Sequence, residues 1–209
     1  ASQLLMLIEY ASFDMQKVIG IGVSNKTDDG STSMTEITGA TVNLGNASGS
    51  VTNANGYNIV SYRGEENIWG NIWAWIDGMN EENPDPFAEG QVGTLYVADH
   101  GFVDDSKASP YKNTGIHPDY GNGYISAFGY SEEFDWLFVT AEHTGNSTLP
   151  VGDYFWNQNP GWRVAVLGGY WSNGAAAGAF CWHLDSAASH RSRAVGGRLV
   201  YVPSKKEAA

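Results

Sequence analysis

Apolar residues recur at spacings of three and four in two stretches of the chain. Leu4, Leu7, Ile8, Ala11, Met15 and Val18 form the first stripe, with Ser2 placed to cap its start and Gly20 to end it. Ile68, Trp69, Ile72, Trp73 and Ile76 form the second. Glu65 and Glu66 precede it, where a helix N-terminus favours negative charge, and Gly78 supplies a stop. The spacing therefore predicts two helices. Elsewhere the pattern shortens. Gln91–Ala98 alternates like a strand, Phe134–Thr140 and Trp162–Leu167 are further strand candidates, and Arg198–Val202 reads as a buried strand. Residues Ser24 to Asn58 are rich in Ser, Thr, Asn and Gly, with short β-like pieces such as Ala40–Leu44, and read as hairpins and loops. Asn80–Glu89 and Asp99–Asp119 are acidic, proline-bearing loops. Helices first and short strands later imply an α+β domain, and no sharp linker divides residues 1–209.

Composition narrows the class. Of 209 residues, 42% are apolar and 13% aromatic, enough to bury a sizeable core and too many for a disordered chain. The 26 glycines and eight tryptophans add many turns around an aromatic interior. A formal charge of −12 argues against nucleic acid as a partner. The charge is uneven: residues 1–167 hold six bases and twenty-one acids, residues 168–209 five bases and two acids. No apolar run approaches the ~20 residues of a membrane-spanning helix, so membrane insertion is not expected. The Leu4–Ile8 cluster runs into Glu9 and Asp14 without a basic lead, unlike a secretion signal. Cys181 stands alone, which excludes an intrachain disulfide and a multi-cysteine zinc site.

Most candidate chemistry gives way to plainer readings. His100, His117, His143, His183 and His190 show no metal-binding spacing, and no cofactor is expected. Asp28-Asp29, Asp104-Asp105 and Asn80–Asp85 could bind calcium, but none matches a calcium loop, and solvated acidic loops are the better reading. Gly20-Ile-Gly22 lacks the third glycine of a dinucleotide fingerprint. Cys181 and His183, two apart on a strand, would share a face as a thiol–imidazole pair, yet nothing supplies a third orienting group. Trp69, Trp73 and Trp75 could form a sugar-stacking platform; at helical spacing Trp69 and Trp73 read as core, with Trp75 less settled.

The informative stretch is Gly168 to Pro203, GGYWSNGAAAGAFCWHLDSAASHRSRAVGGRLVYVP. One set of its residues looks structural: Trp171, Phe180, Trp182, Leu184, Arg191, Arg193 and Val195, with paired glycines at both ends. The other set alternates with it and mixes a phenol, hydroxyls, a thiol, imidazoles, a carboxylate and methyls. Period-two alternation puts the two sets on opposite faces wherever the segment is extended. No single chemistry explains the mixture, so its positions look interchangeable.

This frame resembles the variable region of the C-type-lectin-fold proteins diversified by retroelements, found in phage tail receptor-binding proteins and some bacterial surface proteins. In that family asparagine stands at the diversified sites, and error-prone copying of adenines leaves a pyrimidine third base. The corresponding positions are Tyr170, Ser172, Asn173, Ala176, Cys181, His183, Asp185, Ser186, His190, Ser192 and Ala194, all of types encodable that way. Leu4–Gly20 and Ser61–Asn80 look like the two helical segments of phage proteins in this class. Gly70–Trp75 (GNIWAW) is similar to a signature of the formylglycine-generating-enzyme-like branch.

The resemblance implies a C-type lectin fold with two helices, short antiparallel strands and long loops, and a variable ligand-binding region at about 168–203. It implies a non-enzymatic phage tail adhesin, on the virion or a bacterial cell surface, that recognises a host-surface protein or glycan through those eleven residues. Trp171, Trp182 and Arg198 would anchor the backbone from the inward side. A homotrimer or attachment to a longer fibre is compatible with it. Two alternatives differ in class: a formylglycine-generating-like enzyme, for which the paired cysteines are lacking, and a calcium-dependent sugar-binding lectin, to whose ligand loop Asn83-Pro84-Asp85 comes nearest without matching.

Overall fold

The computed structural model describes residues 2–32 and 34–198. Helix is confined to the N-terminal end. Helix α1 spans Ser2–Tyr10 and α2 only Met15–Val18. Ala11 takes a left-handed backbone (φ 49°), which a continuous helix cannot accommodate. Asp14 then caps α2, its carboxylate accepting the Lys17 N–H at 3.2 Å. The predicted stripe is thereby rotated. Met6 and Met15 face the core, whereas Ile8 and Val18 are exposed.

The second predicted helix does not form. Glu65–Glu66 is a two-residue strand (β3), paired with β2 (Asn58–Tyr62), which pairs in turn with β1 (Gly49–Thr52). Between Asn67 and Asn71 the chain turns through three left-handed residues, Asn67, Gly70 and Asn71. Asn71 stands in for helical hydrogen bonding. Its side-chain oxygen accepts the Glu36 N–H (2.8 Å) and its amide donates to the Glu36 carbonyl (3.0 Å). A β-carbon on Gly70 would lie 2.8 Å from the Val23 carbonyl oxygen, so backbone approaches backbone there. Trp69 is buried from this turn, its indole N–H on the Gly20 carbonyl at 3.1 Å. Trp73 opens the longest strand, β4 (Trp73–Asn83).

The main sheet is built on β4. With β5 (Thr94–Val97), β6 (Lys112–Asn113), β7 (Gly121–Tyr124), β8 (Ala127–Phe128), β9 (Thr140–Glu142), β10 (Tyr154–Asn157), β11 (Gly161–Leu167), β12 (Trp182–Ser186) and β13 (Val195–Gly196), the order across it is β6-β5-β4-β11-β12-β10-β7. Strand β13 also pairs with β4, and β8 with β9 forms a separate two-stranded sheet. Pairing is mixed, since β10–β12 and β13–β4 are parallel. The predicted strands at 91–98 and 162–167 correspond to β5 and β11. Phe134–Thr140 is mostly turn, reaching strand only at Thr140, and Val42–Leu44 is a 3₁₀ turn where a β-like piece was expected. Of the Arg198–Val202 strand, all but Arg198 lies outside the described residues.

The α+β expectation is therefore corrected: the chain is mainly β, with thirteen helical residues in α1 and α2. The C-type lectin fold that the resemblance implied is not confirmed by this topology. The largest core cluster joins Met6, Trp69, Leu95, Phe155, Phe180 and Leu184. Among the described residues no helix is long and apolar enough to cross a membrane.

Candidate ligand-binding site

Strand β11 ends at Leu167, and Gly168 and Gly169 turn the chain through φ values of 96° and 80°. No side chain fits at either: a β-carbon on Gly169 would lie 2.7 Å from that of Ala177. After the turn, Trp171 joins Val23, Met34 and Ile59 in a second buried cluster, and Tyr170 turns toward Trp73. Backbone bonds pin this loop from three sides. Lys26 N–H donates to Trp171 O at 2.7 Å, Trp171 N–H to Asn71 O at 3.2 Å, and Gly174 N–H to Ser24 O at 2.5 Å. None depends on what side chains the loop carries.

Strand β12 alternates. Trp182, Leu184 and Ser186 are buried, whereas His183 and Asp185 are half-buried on the other face. The Trp182 indole donates to the Phe138 carbonyl at 2.6 Å, which fixes the strand from below. The next loop returns to the sheet where Trp73 N–H donates to Ala194 O at 2.8 Å. Its Arg191 holds its own turn through the Ala188 and His190 carbonyls. Arg193 pairs with Asp28 and lies 5.2 Å over the Trp171 ring.

These segments enclose an open cavity of about 830 Å³. Eight of the eleven predicted site residues line it: Tyr170 and Asn173 from the first loop, His183, Asp185 and Ser186 from β12, and His190, Ser192 and Ala194 from the second loop. Ser172 and Ala176 are half-buried outside it. Cys181 departs furthest from expectation. It is 0% exposed, clustered with Trp73 and Val166, so it supports the site by packing and has no surface to offer a ligand. Burial, with the Asp153 carboxyl as a lesser cause, pushes its thiol well above the usual range, which leaves no thiolate for a Cys181–His183 pair.

Two aromatic rings from outside the variable stretch also border the cavity: Trp73, which is buried as its core reading expected, and Trp156, which the sequence did not point to. Trp73 meets Trp156 edge-on at 5.5 Å between centroids, stacks on Tyr170 at 6.4 Å and meets His183 at 5.5 Å. Trp156 lies 5.8 Å from His183. Trp73 read as core because its spacing fitted a helix. Trp156 sits in the YFWN run of β10, whose uniformly apolar start hides an alternation visible only in its burial. Asp28, which the sequence offered only as part of an acidic loop, and Asn159, which had no signal there, also contribute.

The charges at the site are occupied. The Asp185 carboxylate accepts the backbone N–H groups of Gln158 and Asn159, the latter at 2.9 Å. Asp28 is held below the usual carboxylate range, first by the Gly30 N–H and then by Arg193. Burial lowers the His183 pKa, against an opposing pull from Asp185. Its Nδ1 accepts the Asp185 N–H at 3.3 Å. Among the described residues no group of three or more His, Cys, Asp or Glu side chains is placed to share a metal ion. No protein-family model matches the chain, and no curated protein matches it.

Proposed function

We propose that this chain is a ligand-binding protein whose partner is chosen by replaceable side chains around the cavity. It would act as a receptor-binding protein of the retroelement-diversified kind, carried on a phage tail or a bacterial surface. The observation that supports this reading is a convergence: eight residues of the alternating set meet on one concavity. Trp171, Arg193 and Val195 of the structural set share that cavity, and the two sets part between faces only along β12. Phe180, Trp182 and Leu184 are buried. The loop backbones are fastened mainly through their own N–H and carbonyl groups. Such a surface tolerates exchange, because substitutions away from packing and from buried hydrogen bonds usually change stability by within ~0.5 kcal/mol. A binding role fits the site better than thiol chemistry, given that Cys181 is sealed beneath the aromatic floor.

The test is the triple variant Tyr170→Asn, His190→Asn, Ser192→Asn, fluorescently labelled and incubated with a panel of bacterial strains. The wild-type protein should decorate a subset of strains, and the variant should lose or change that subset. Its melting temperature should fall by no more than ~12 °C, the size expected for a loss of ~3 kcal/mol from the Tyr170 contacts with Trp73 and Trp171 in a chain of this length. An unchanged strain range, or a variant that fails to fold, overturns the assignment.

A further inference from the structure

We infer that the ligand group seated in this cavity is an uncharged saccharide ring, held against an aromatic floor without a metal ion; this rests on the binding function proposed above. The floor is the first reason. Trp73 and Trp156 belong to β4 and β10, outside the interchangeable positions, and Tyr170 and His183 complete the aromatic group around them. Whatever the replaceable residues become, two indole rings stay. Trp156 is half-buried and Trp73 is 6% exposed and stacked with Tyr170, so Trp156 and Tyr170 present the open aromatic faces. An aromatic face takes up the C–H face of a sugar as readily as another ring.

The rim is the second reason. Ser189, Ser192, Asn159 and Asn173 place hydroxyl and amide groups around the floor. Asn173 Oδ1 accepts the Tyr170 N–H, Asn159 Nδ2 donates to the Asp185 carbonyl and Ser192 Oγ accepts the Ala194 N–H. The Asn173 amide N–H, the Asn159 amide oxygen and the Ser192 O–H are therefore the groups offered to a ligand. Ring hydroxyls need short, two-way hydrogen-bonding partners of this kind. Charge is the third. Arg193, the cavity's one Lys or Arg among the described residues, is committed to Asp28, and the Asp185 carboxylate to two backbone N–H groups. A phosphate or carboxylate ligand would meet two carboxylates and no unpaired guanidinium. A basic ligand would have to compete with fixed N–H donors for Asp185. Size is the fourth. About 830 Å³ falls within the ~300–1,000 Å³ of small-molecule sites, whereas a protein epitope spreads over ~800 Å² per partner.

The experiment titrates the full chain, in EDTA, with uncharged hexose and N-acetylhexosamine oligosaccharides on an array and by tryptophan fluorescence. At least one should bind and change the emission of Trp73 and Trp156. Trp156→Ala should weaken that binding at least tenfold, and Trp156→Phe should retain most of it. Melting curves of both variants show whether the fold is intact. If Trp156→Ala unfolds, Tyr170→Ala takes its place with the same tenfold expectation. Binding only of anionic glycans, loss of binding in EDTA, indifference to both alanine variants, or no uncharged glycan bound overturns the inference. In parallel, cells recognised by the protein are treated with periodate or with protease. Binding lost to protease, resistant to periodate and altered by the triple variant would leave the proposed function standing while removing the saccharide.

Discussion

Trp182 and His183 are neighbours on one strand, and opposite consequences are expected from changing them. The Trp182 side chain is 2% exposed in the core cluster beside Phe180 and Leu184, and its indole N–H satisfies the Phe138 carbonyl. Trp182→Ala deletes a whole indole from a packed interior, a change that costs about 3–5 kcal/mol. The Phe138 carbonyl also loses its donor, worth about 1–3 kcal/mol where water cannot replace it. Against a typical total stability of ~5–15 kcal/mol, the variant should sit near the edge of folding. His183 loses less. His183→Asn removes two aromatic contacts, at 5.5 and 5.8 Å, about 1–3 kcal/mol together, while the asparagine oxygen can replace the ring nitrogen as acceptor. Urea denaturation followed by near-ultraviolet circular dichroism measures both. The midpoint should fall steeply for Trp182→Ala and distinctly less for His183→Asn, with m unchanged. Equal midpoints, or the reverse order, would refute the assignment of frame and face on β12.

Asp185→Ala should destabilise by about 1.5–3 kcal/mol in thermal melts, because the Gln158 and Asn159 N–H groups lose a charged acceptor, and Asp185→Asn should recover part of that. Wild-type-like melting of the alanine variant would show the contact to be idle. Glu81 is fully buried, and burial raises its pKa well above the carboxylate range despite the Asn157 and Asn83 amides. The folded state then holds a proton that the unfolded state releases, so stability falls as pH rises above ~4.5, by up to about 1.4 kcal/mol per pH unit. Glu81→Gln should flatten that slope between pH 5 and 8 in chemical denaturation; a parallel slope counts against a neutral Glu81. For His183 the sign is opposite. Its lowered folded pKa gives stability that is present above ~6.5 and lost as pH falls, and an NMR titration of the imidazole should find a midpoint below 6.5, not above it. Gly178→Ala should cost several kcal/mol, since the new methyl would lie 2.1 Å from a carboxylate oxygen of buried Asp153; tolerated substitution would mean that this loop can retreat.

Within the Gly168–Arg198 segment β12 was legible, because there the two sets differ in kind. Large apolar residues alternate there with small and polar ones, and in β12 that contrast survives as alternate burial. The same reasoning fails where both faces of an element are apolar. IWGNIWAWI carries a helical period that Gly70 and Asn71 break with left-handed backbone, so the helix is lost although Trp69 and Trp73 are both buried as that period implied, Trp73 beside the cavity. Tertiary bonds from Asn71 to Glu36, thirty-five residues away, decide the outcome, and no local propensity encodes them. Cys181 errs the other way. It holds a position in the exchangeable set, yet it precedes the strand and lies under Trp73 and Val166.

The exchangeable positions are therefore not equivalent. At 181 a residue must fit a closed apolar space, so only small side chains are compatible with the floor above it. At 185 the side chain spans to the β10–β11 turn, so Asp, or Asn through one oxygen, preserves a fastening that Ala, Ser or Tyr would release. Positions 190 and 192 lie exposed on a loop whose hold on the sheet is the Trp73 N–H bond to the Ala194 carbonyl, and these carry the widest range of chemistries at the least risk to the fold. If the proposed binding function holds, ligand choice is confined to a few exchangeable groups around two fixed indoles. On the proposed binding function, exchange at these positions would alter which groups of a partner are read, while the half-buried Trp156 ring, packed edge-on against buried Trp73, would stay as a fixed apolar surface.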